Sequence, residues 1–341
     1  MSVANKITRG IITSTCIDRH GDRMTLEALE RMVEYINNPN IKIRFGVDHR
    51  PDFPPKGIVC NATLVNKDGY FIVEADFCAF EESKVAEWDE TLVIESFSNP
   101  FTFIEVESIP ANVVSISTDP CNFVTEEDYK KFLDEIKKSV DMEVEMHETI
   151  RKSELPIPEI TFTLTGSVLA YQLLKPTLKK VGEKIADKIS DKIIENGAKA
   201  FILIEAALKE AFYRLLPKIR PVTVIFNYPG EPHIQLIAKT RNSRLLLKAL
   251  TKLSNVFKEI ENLKKNVDIA KIQFILDNKG KWSFNYLLTA DGKSIGKKSA
   301  IAKREKRNEI ILRNANNAGH PVSVSTGISI KSAKAGKRIF E

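Results

Sequence analysis

The chain has 341 residues, 43% of them hydrophobic and 28% charged, a length and composition that suit a two-domain globular protein and exclude a disordered one. Its four cysteines, Cys16, Cys60, Cys78 and Cys121, show neither CxxC nor paired zinc spacing, which argues against a disulfide scaffold or metal centre and for reduced thiols in a cytosol-like compartment. The net charge of +6 is unevenly placed: residues 293–338 carry twelve Lys/Arg against Glu305 and Glu309, so that segment alone is +10.

No basic n-region followed by an apolar h-region opens the chain, so no signal peptide is expected. The most apolar short run, Ala200 to Leu208, is interrupted by Glu205 and falls far short of the roughly 18 residues of a spanning helix, so no membrane segment is expected.

In chain order, "ITRGIITSTC" reads as a strand and "DRHGD" as a turn. Thr25 then caps a helix whose Leu26, Leu29, Val33 and Ile36 recur at helical spacing, and "NNPN" ends it. Strand-like "IKIRFGV" leads into a proline-rich loop holding His49. "GIVCNATLV" and "YFIVEADF" follow as a hairpin turning at Asn66 to Gly69. "ETLVIESFSNPFTFIEVESIPANVVSIS" gives two or three more strands, and a Thr125 cap starts a helix running through the acidic "TEEDYKKFLDEIKKSVDMEVEMHETIRKS". "ELPIPEI" reads as a linker, which places a domain boundary near residue 155.

The second half opens with the strand "EITFTLTG" and two long helices. The first carries Leu174, Leu178, Val181, Ile185, Ile189 and Ile193 and ends at Asn196-Gly197; the second carries Phe201 to Leu215 and ends before Pro217. A hairpin, a helix from Asn242 to about Lys265, and a hairpin turning at Asp277 to Gly280 complete a strand, helices, ββαββ order. The expected class is α+β, with helices on one face of an antiparallel sheet. Residues 1–155 thus form a β-rich domain with an acidic helix, 156–291 an α+β domain, and 292–341 a basic flexible arm.

Several candidate sites arise. Cys16, Asp18, His20 and Asp22 alternate as a row of metal-ligand types would, but "DRHGD" is a turn composition and a turn is the better reading. No metal or cofactor is expected. The basic arm has the charge for sequence-independent phosphate contact and almost no aromatics for stacking on bases, so solvated arm and nucleic-acid contact both stand. The apolar stripe over 174–193 reads as core or as a seam between copies, with Pro176 limiting a seam.

His49 has a candidate nucleophile downstream in Ser98, at the end of an apolar strand. Serine peptidase chemistry needs an imidazole to take the Oγ proton, a third group to hold the ring, and N–H donors for the oxyanion. The stretches "GIITSTCIDRHGDRMTLEALERMVEYI", "VDHRPDFPPKGIV", "DGYFIVEADF" and "ESFSNPF" resemble the prohead (capsid maturation) serine proteases of tailed phages, over roughly residues 7 to 115.

That resemblance implies a small β-barrel with helices, related to the herpesvirus assemblins. It implies His49 as general base, Ser98 as nucleophile, and Glu105 or Glu107 as the group orienting the imidazole; where this chain departs from the family pattern, Ser96 or Ser115 stands as an alternative nucleophile. Gly57 matches the glycine that leads the strand after the histidine. Two departures stand out: Pro100 replaces a glycine and removes an N–H, and "FIEVESIPAN" brings Pro110-Ala111-Asn112 closer to the serine than the family pattern does.

The resemblance further implies capsid and scaffold proteins as substrates, with the protease itself among them, and location in the bacterial host cytoplasm or in the procapsid or virion interior; a homo-oligomer stays open. A non-catalytic virion or interaction protein, its basic arm on DNA or an acidic partner, is the alternative; a host protein that borrowed the domain for phage defence is a third.

Overall fold

The computed structural model describes residues 7–17, 23–39, 43–48, 50–103, 114–148, 157–169, 172 and 191–318. It is a mixed α+β protein that divides into two compact units. The first comprises Met1–Val106, Asp268–Ala270 and Asn285–Glu341; the second comprises Glu107–Val267 and Lys271–Phe284.

In the first unit, β1 (Ile7–Ser14), β2 (Ile43–Phe45), β3 (Gly57–Lys67) and β4 (Tyr70–Ala79) form an antiparallel sheet in the order β1-β4-β3-β2. The β3–β4 hairpin closes where the sequence places it. Lys67 pairs with Tyr70, and the two-residue turn Asp68-Gly69 takes φ of 52° and 86°, the left-handed pair that matches the right-handed twist of the strands. A bulge interrupts the β3–β4 register between Cys60 and Thr63, with Asn61 at φ 52°.

Helix α1 (Leu26–Asn37) starts where Thr25 Oγ1 accepts the Ala28 N–H, as expected from the sequence, and stops at Asn38. Its Leu29, Met32 and Ile36 pack on Phe45, Val59, Val73, Ala75 and Phe77 of the sheet. At roughly 1.5–3 kcal/mol per fully buried aliphatic or aromatic side chain, that layer supplies the driving force for this half of the unit. The same unit holds β5 (Glu82–Ala86), β6 (Asp89–Ser96) and, from the far end of the chain, β14 (Ser294–Lys297), which pairs antiparallel with β6 on one side and with β13 (Trp282–Thr289) on the other.

The second unit contains β7 (Val114–Thr118), β8 (Val144–Glu148), β9 (Glu159–Leu164), β10 (Val222–Tyr228), β11 (His233–Thr240) and β12 (Ile269–Leu276), in the sheet order β12-β11-β10-β9-β7-β8; β12 and β13 contribute residues to both units. Its described residues include helices α2 (Glu126–Ser139), α3 (Asp191–Arg214), α4 (Ser243–Leu250) and α5 (Ser254–Leu263). Asn242 caps α4, and Thr125 caps α2 with Glu126, Glu127 and Asp128 in its first turn, as read from the sequence. Arg241 donates to the carbonyls of Phe212, Leu215, Pro217 and Arg220, tying off the end of α3.

Several expectations are corrected. The acidic helix ends at Ser139, and Val144–Glu148 turns into β8, because Val144 and Met146 alternate with charged residues at strand period. Helix α3 runs through Asn196-Gly197 without stopping, and Gly197, Ala200, Leu203 and Ile204 are buried along it. The helix expected from Asn242 to Lys265 breaks between Leu250 and Ser254. The sheet is mixed: β9 runs parallel to β10, and β11 parallel to β12.

The domain division differs as well. The N-terminal segment of the first unit runs to Val106 rather than to near 155, and residues 294–318 of the supposed arm belong to that unit as β14 and helix α6 (Lys298–Ala318). The reason is an alternation hidden beneath the charge. Ala300 and Arg304 are buried on one face of α6, while Lys303 and Lys306 are exposed. The helix expected over 174–196 up to residue 190, and "PVSVSTGISI", lie outside the described residues. Among the described residues no helix is long and apolar enough to cross a membrane.

Candidate active site

Strand β6 delivers Ser98. The strand is buried at Ile94, Glu95 and Ser96, leaves the sheet at Phe97, and exposes Ser98, Asn99 and Pro100. An aromatic cluster holds this excursion. Phe97 lies 5.2 Å from Phe80 and 5.6 Å from Phe101 between ring centroids, and Phe101 meets Phe103 edge-on at 4.9 Å. Behind it, the Phe101 N–H donates to the Asp291 carbonyl at 3.4 Å. Gly292 sits at φ 84° so close to Phe101 that a Cβ there would overlap the Phe101 carbonyl, so only glycine fits both the turn and the contact.

Glu81 accepts twice from Ser98 through one oxygen: its Oε2 takes the Ser98 hydroxyl at 2.6 Å and the Ser98 backbone N–H at 3.0 Å. The hydroxyl proton is therefore directed at a carboxylate, and that amide is committed to the same oxygen. Ser96, one of the alternative nucleophiles, is buried at the end of β6, where its carbonyl accepts the Glu81 N–H. The other, Ser115, is buried on β7 in the second unit.

The loop after β2 carries the other residue of the expected pair. His49, Glu105 and Glu107 lie outside the described residues, as do Asp18, His20 and Asp22. The residues flanking His49 are well anchored. Asp48 takes φ 60° and accepts from Arg307 at 2.7 Å; Arg50 forks onto Asp52 with two bonds of 2.8 Å and covers the Phe53 ring at 4.6 Å; the Asp52 carbonyl accepts from Asn285 at 2.8 Å.

One buried cation joins these two segments. Arg304 of α6, 2% exposed, donates to both oxygens of Glu95 at 2.6 and 2.8 Å, to the Pro55 carbonyl at 2.5 Å, and to its neighbour Glu305 at 2.9 Å. The residue six positions after His49 and the residue three positions before Ser98 are thus bound by a single guanidinium. Beside it, Lys56 pairs with Glu305 at 2.7 Å. Burial pushes the Glu305 carboxyl up, and the Arg304 and Lys56 cations more than offset this and hold it below its ordinary range.

The sequence reading missed Glu81 and Arg304. Glu81 lies in an acidic run with nothing to distinguish it from its neighbours. Arg304 carries a usable signal: it follows Ala300 and Ile301 by four and three positions, on the stripe where a helix buries residues. Among the described residues, no group of three or more His, Cys, Asp or Glu gathers as a metal site would require.

No family model, curated protein or solved structure matches the chain.

Proposed function

We propose that the chain is a serine endopeptidase of the capsid-maturation type, built on a small assemblin-like barrel and acting in the bacterial host cytoplasm or the procapsid. Its substrates are capsid and scaffold polypeptides, the protease itself among them. Ser98 serves as nucleophile, His49 as general base, and Glu105 or Glu107 as the group that orients the ring. The observation that carries this reading is the Arg304 clamp, which ties the loop following His49 to the strand that delivers Ser98. On this account the Ser98–Glu81 hydrogen bond is a resting arrangement, from which the hydroxyl rotates to the imidazole when substrate displaces the carboxylate.

Incubating the wild-type chain and Ser98→Ala with a capsid or scaffold protein, followed by intact-mass analysis, tests the proposal. Discrete fragments with wild type and none with the variant are expected. Intact protein in both, including after assembly of the capsid protein, overturns it.

A second reading is favoured by one specific observation. Glu81 occupies the Ser98 N–H, and Pro100 has none to give, so two backbone positions near the nucleophile are unavailable to an oxyanion. On this reading the chain is a non-catalytic virion or interaction module. Its basic segment would contact nucleic acid only through what remains exposed, because Arg304 and Arg307 are committed to Glu95 and Asp48.

A further inference from the structure

Two thiols outside the Ser98 site face one another across the first sheet. Cys60 on β3 and Cys78 on β4 place their sulfurs 2.8 Å apart. Two unbonded sulfurs normally rest well beyond 3 Å apart, and a disulfide bond is about 2.05 Å long. The pair therefore lies between contact and bond.

The register explains the approach. Ile58 pairs with Cys78 and Cys60 with Asp76, so the cysteines are diagonal neighbours on one face of an antiparallel ladder. The bulge that begins at Cys60 increases the local twist, which draws one diagonal together. Gly57, opposite Ala79, lets the two backbones close in one step further along.

Cys60 also borders a cavity. A surface cavity of about 240 Å³ is lined by Ile36, Asn37, Cys60, Asn61, Ala62 and Thr63. Cys60 thus lines a cleft, while Cys78 packs against the buried cluster of Ile58, Phe103, Tyr286 and Leu288. Both residues are half-buried.

We propose that Cys60 and Cys78 form a redox-active dithiol, oxidised to a cross-strand disulfide by low-molecular-weight disulfides that enter through the Cys60 cavity. The proposal does not depend on peptidase activity. Cys60 is the attacking thiol. Its thiolate attacks one sulfur of R–S–S–R, forming a mixed disulfide and releasing one R–S⁻. Cys78 then loses its proton, attacks the Cys60 sulfur and releases the second R–S⁻. The two thiol protons end on the two released thiolates, and two electrons pass from the protein to the small disulfide.

Sharing of its proton with Cys60, followed by burial, raises the Cys78 thiol, which fits Cys78 as the thiol that keeps its proton until the second step. The bond would staple β3 to β4 next to the Gly57–Ala79 pair, where one strand leads back to the His49 loop and the other onward to Glu81.

The test uses the wild-type chain with glutathione disulfide as the oxidant. Remaining thiols are then blocked with a maleimide, and the chain is digested with trypsin without reductant. Trypsin cuts after Lys56, Lys67 and Lys84, so the two cysteines fall in separate peptides, 57–67 and 68–84. The expected result is that these peptides are recovered joined and that reductant separates them. Recovery of both as maleimide adducts, or as two independent glutathione adducts, overturns the proposal.

Two variants test the order of attack. Cys78→Ser is expected to stop at a stable glutathione adduct on Cys60. Cys60→Ser is expected to take up glutathione at Cys78 at least tenfold more slowly than Cys78→Ser does at Cys60. Equal rates overturn the assignment of Cys60 as the attacking thiol.

Discussion

Replacing Arg304 with alanine should unfold the first unit more readily than any single surface change. The guanidinium is 2% exposed and the Glu95 carboxylate it neutralises is 7% exposed, so the variant leaves a buried anion and an unpaired Pro55 carbonyl. Removing one partner of a buried ion pair costs about 3–5 kcal/mol. With a urea dependence of about 2 kcal/mol per molar, that is a fall of roughly 2 M in the unfolding midpoint. Far-UV circular dichroism gives the signal, and fluorescence gives an independent one from Trp88, at the β5–β6 turn of this unit, together with Trp282 of the second unit. The double variant Arg304→Met/Glu95→Leu removes both charges and should recover most of the loss, because desolvation of the ions no longer has to be offset. A midpoint change below about 0.5 M for Arg304→Ala, the range of an exposed pair, would refute the view that this contact holds α6 on the unit.

Three further outcomes follow from individual contacts. Arg241→Lys keeps the charge but loses the planar fork that reaches four carbonyls, so thermal unfolding of the second unit should show a loss of about 2 kcal/mol; an unchanged midpoint would mean that water satisfies those carbonyls equally well. Gly57→Ala puts a Cβ onto the Cys78 carbonyl and should cost at least about 1–3 kcal/mol by urea titration, whereas a neutral result would show that β3 and β4 can part at that point. Glu305, held below its ordinary range, binds fewer protons folded than unfolded. Its contribution is therefore complete above about pH 5 and is lost as pH falls through its folded value, and Glu305→Gln should flatten the acid limb of a stability-versus-pH curve; superimposable limbs would refute this.

Much of the local structure was legible because it rests on local chemistry. Thr25, Thr125 and Asn242 cap helices through their own side chains, and Asp68-Gly69 dictates its turn through backbone conformation alone. The misreadings arose where a distant partner decides the outcome. Lys298 to Arg313 looks like a solvated basic arm until Glu95 and Asp48, more than 200 positions earlier, supply counter-charges for Arg304 and Arg307. Strand β14 is only four residues long and earns its place by pairing with β6, which no window of sequence reveals. The same holds for the candidate site. The exposure of Ser98 follows from the end of an apolar strand, but its acceptor, Glu81, is a matter of geometry across the β5–β6 hairpin.

The nucleophilicity of Ser98 is the claim on which the functional account turns. The most direct measurement treats the wild-type chain, before and after mixing with assembling capsid protein, with a fluorophosphonate, which bonds only to an activated serine oxygen. Peptide mapping then locates the adduct. The account predicts one phosphonylated residue, Ser98, with labelling abolished in Ser98→Ala and in His49→Ala. Labelling at a different serine, or none in either condition, would contradict it.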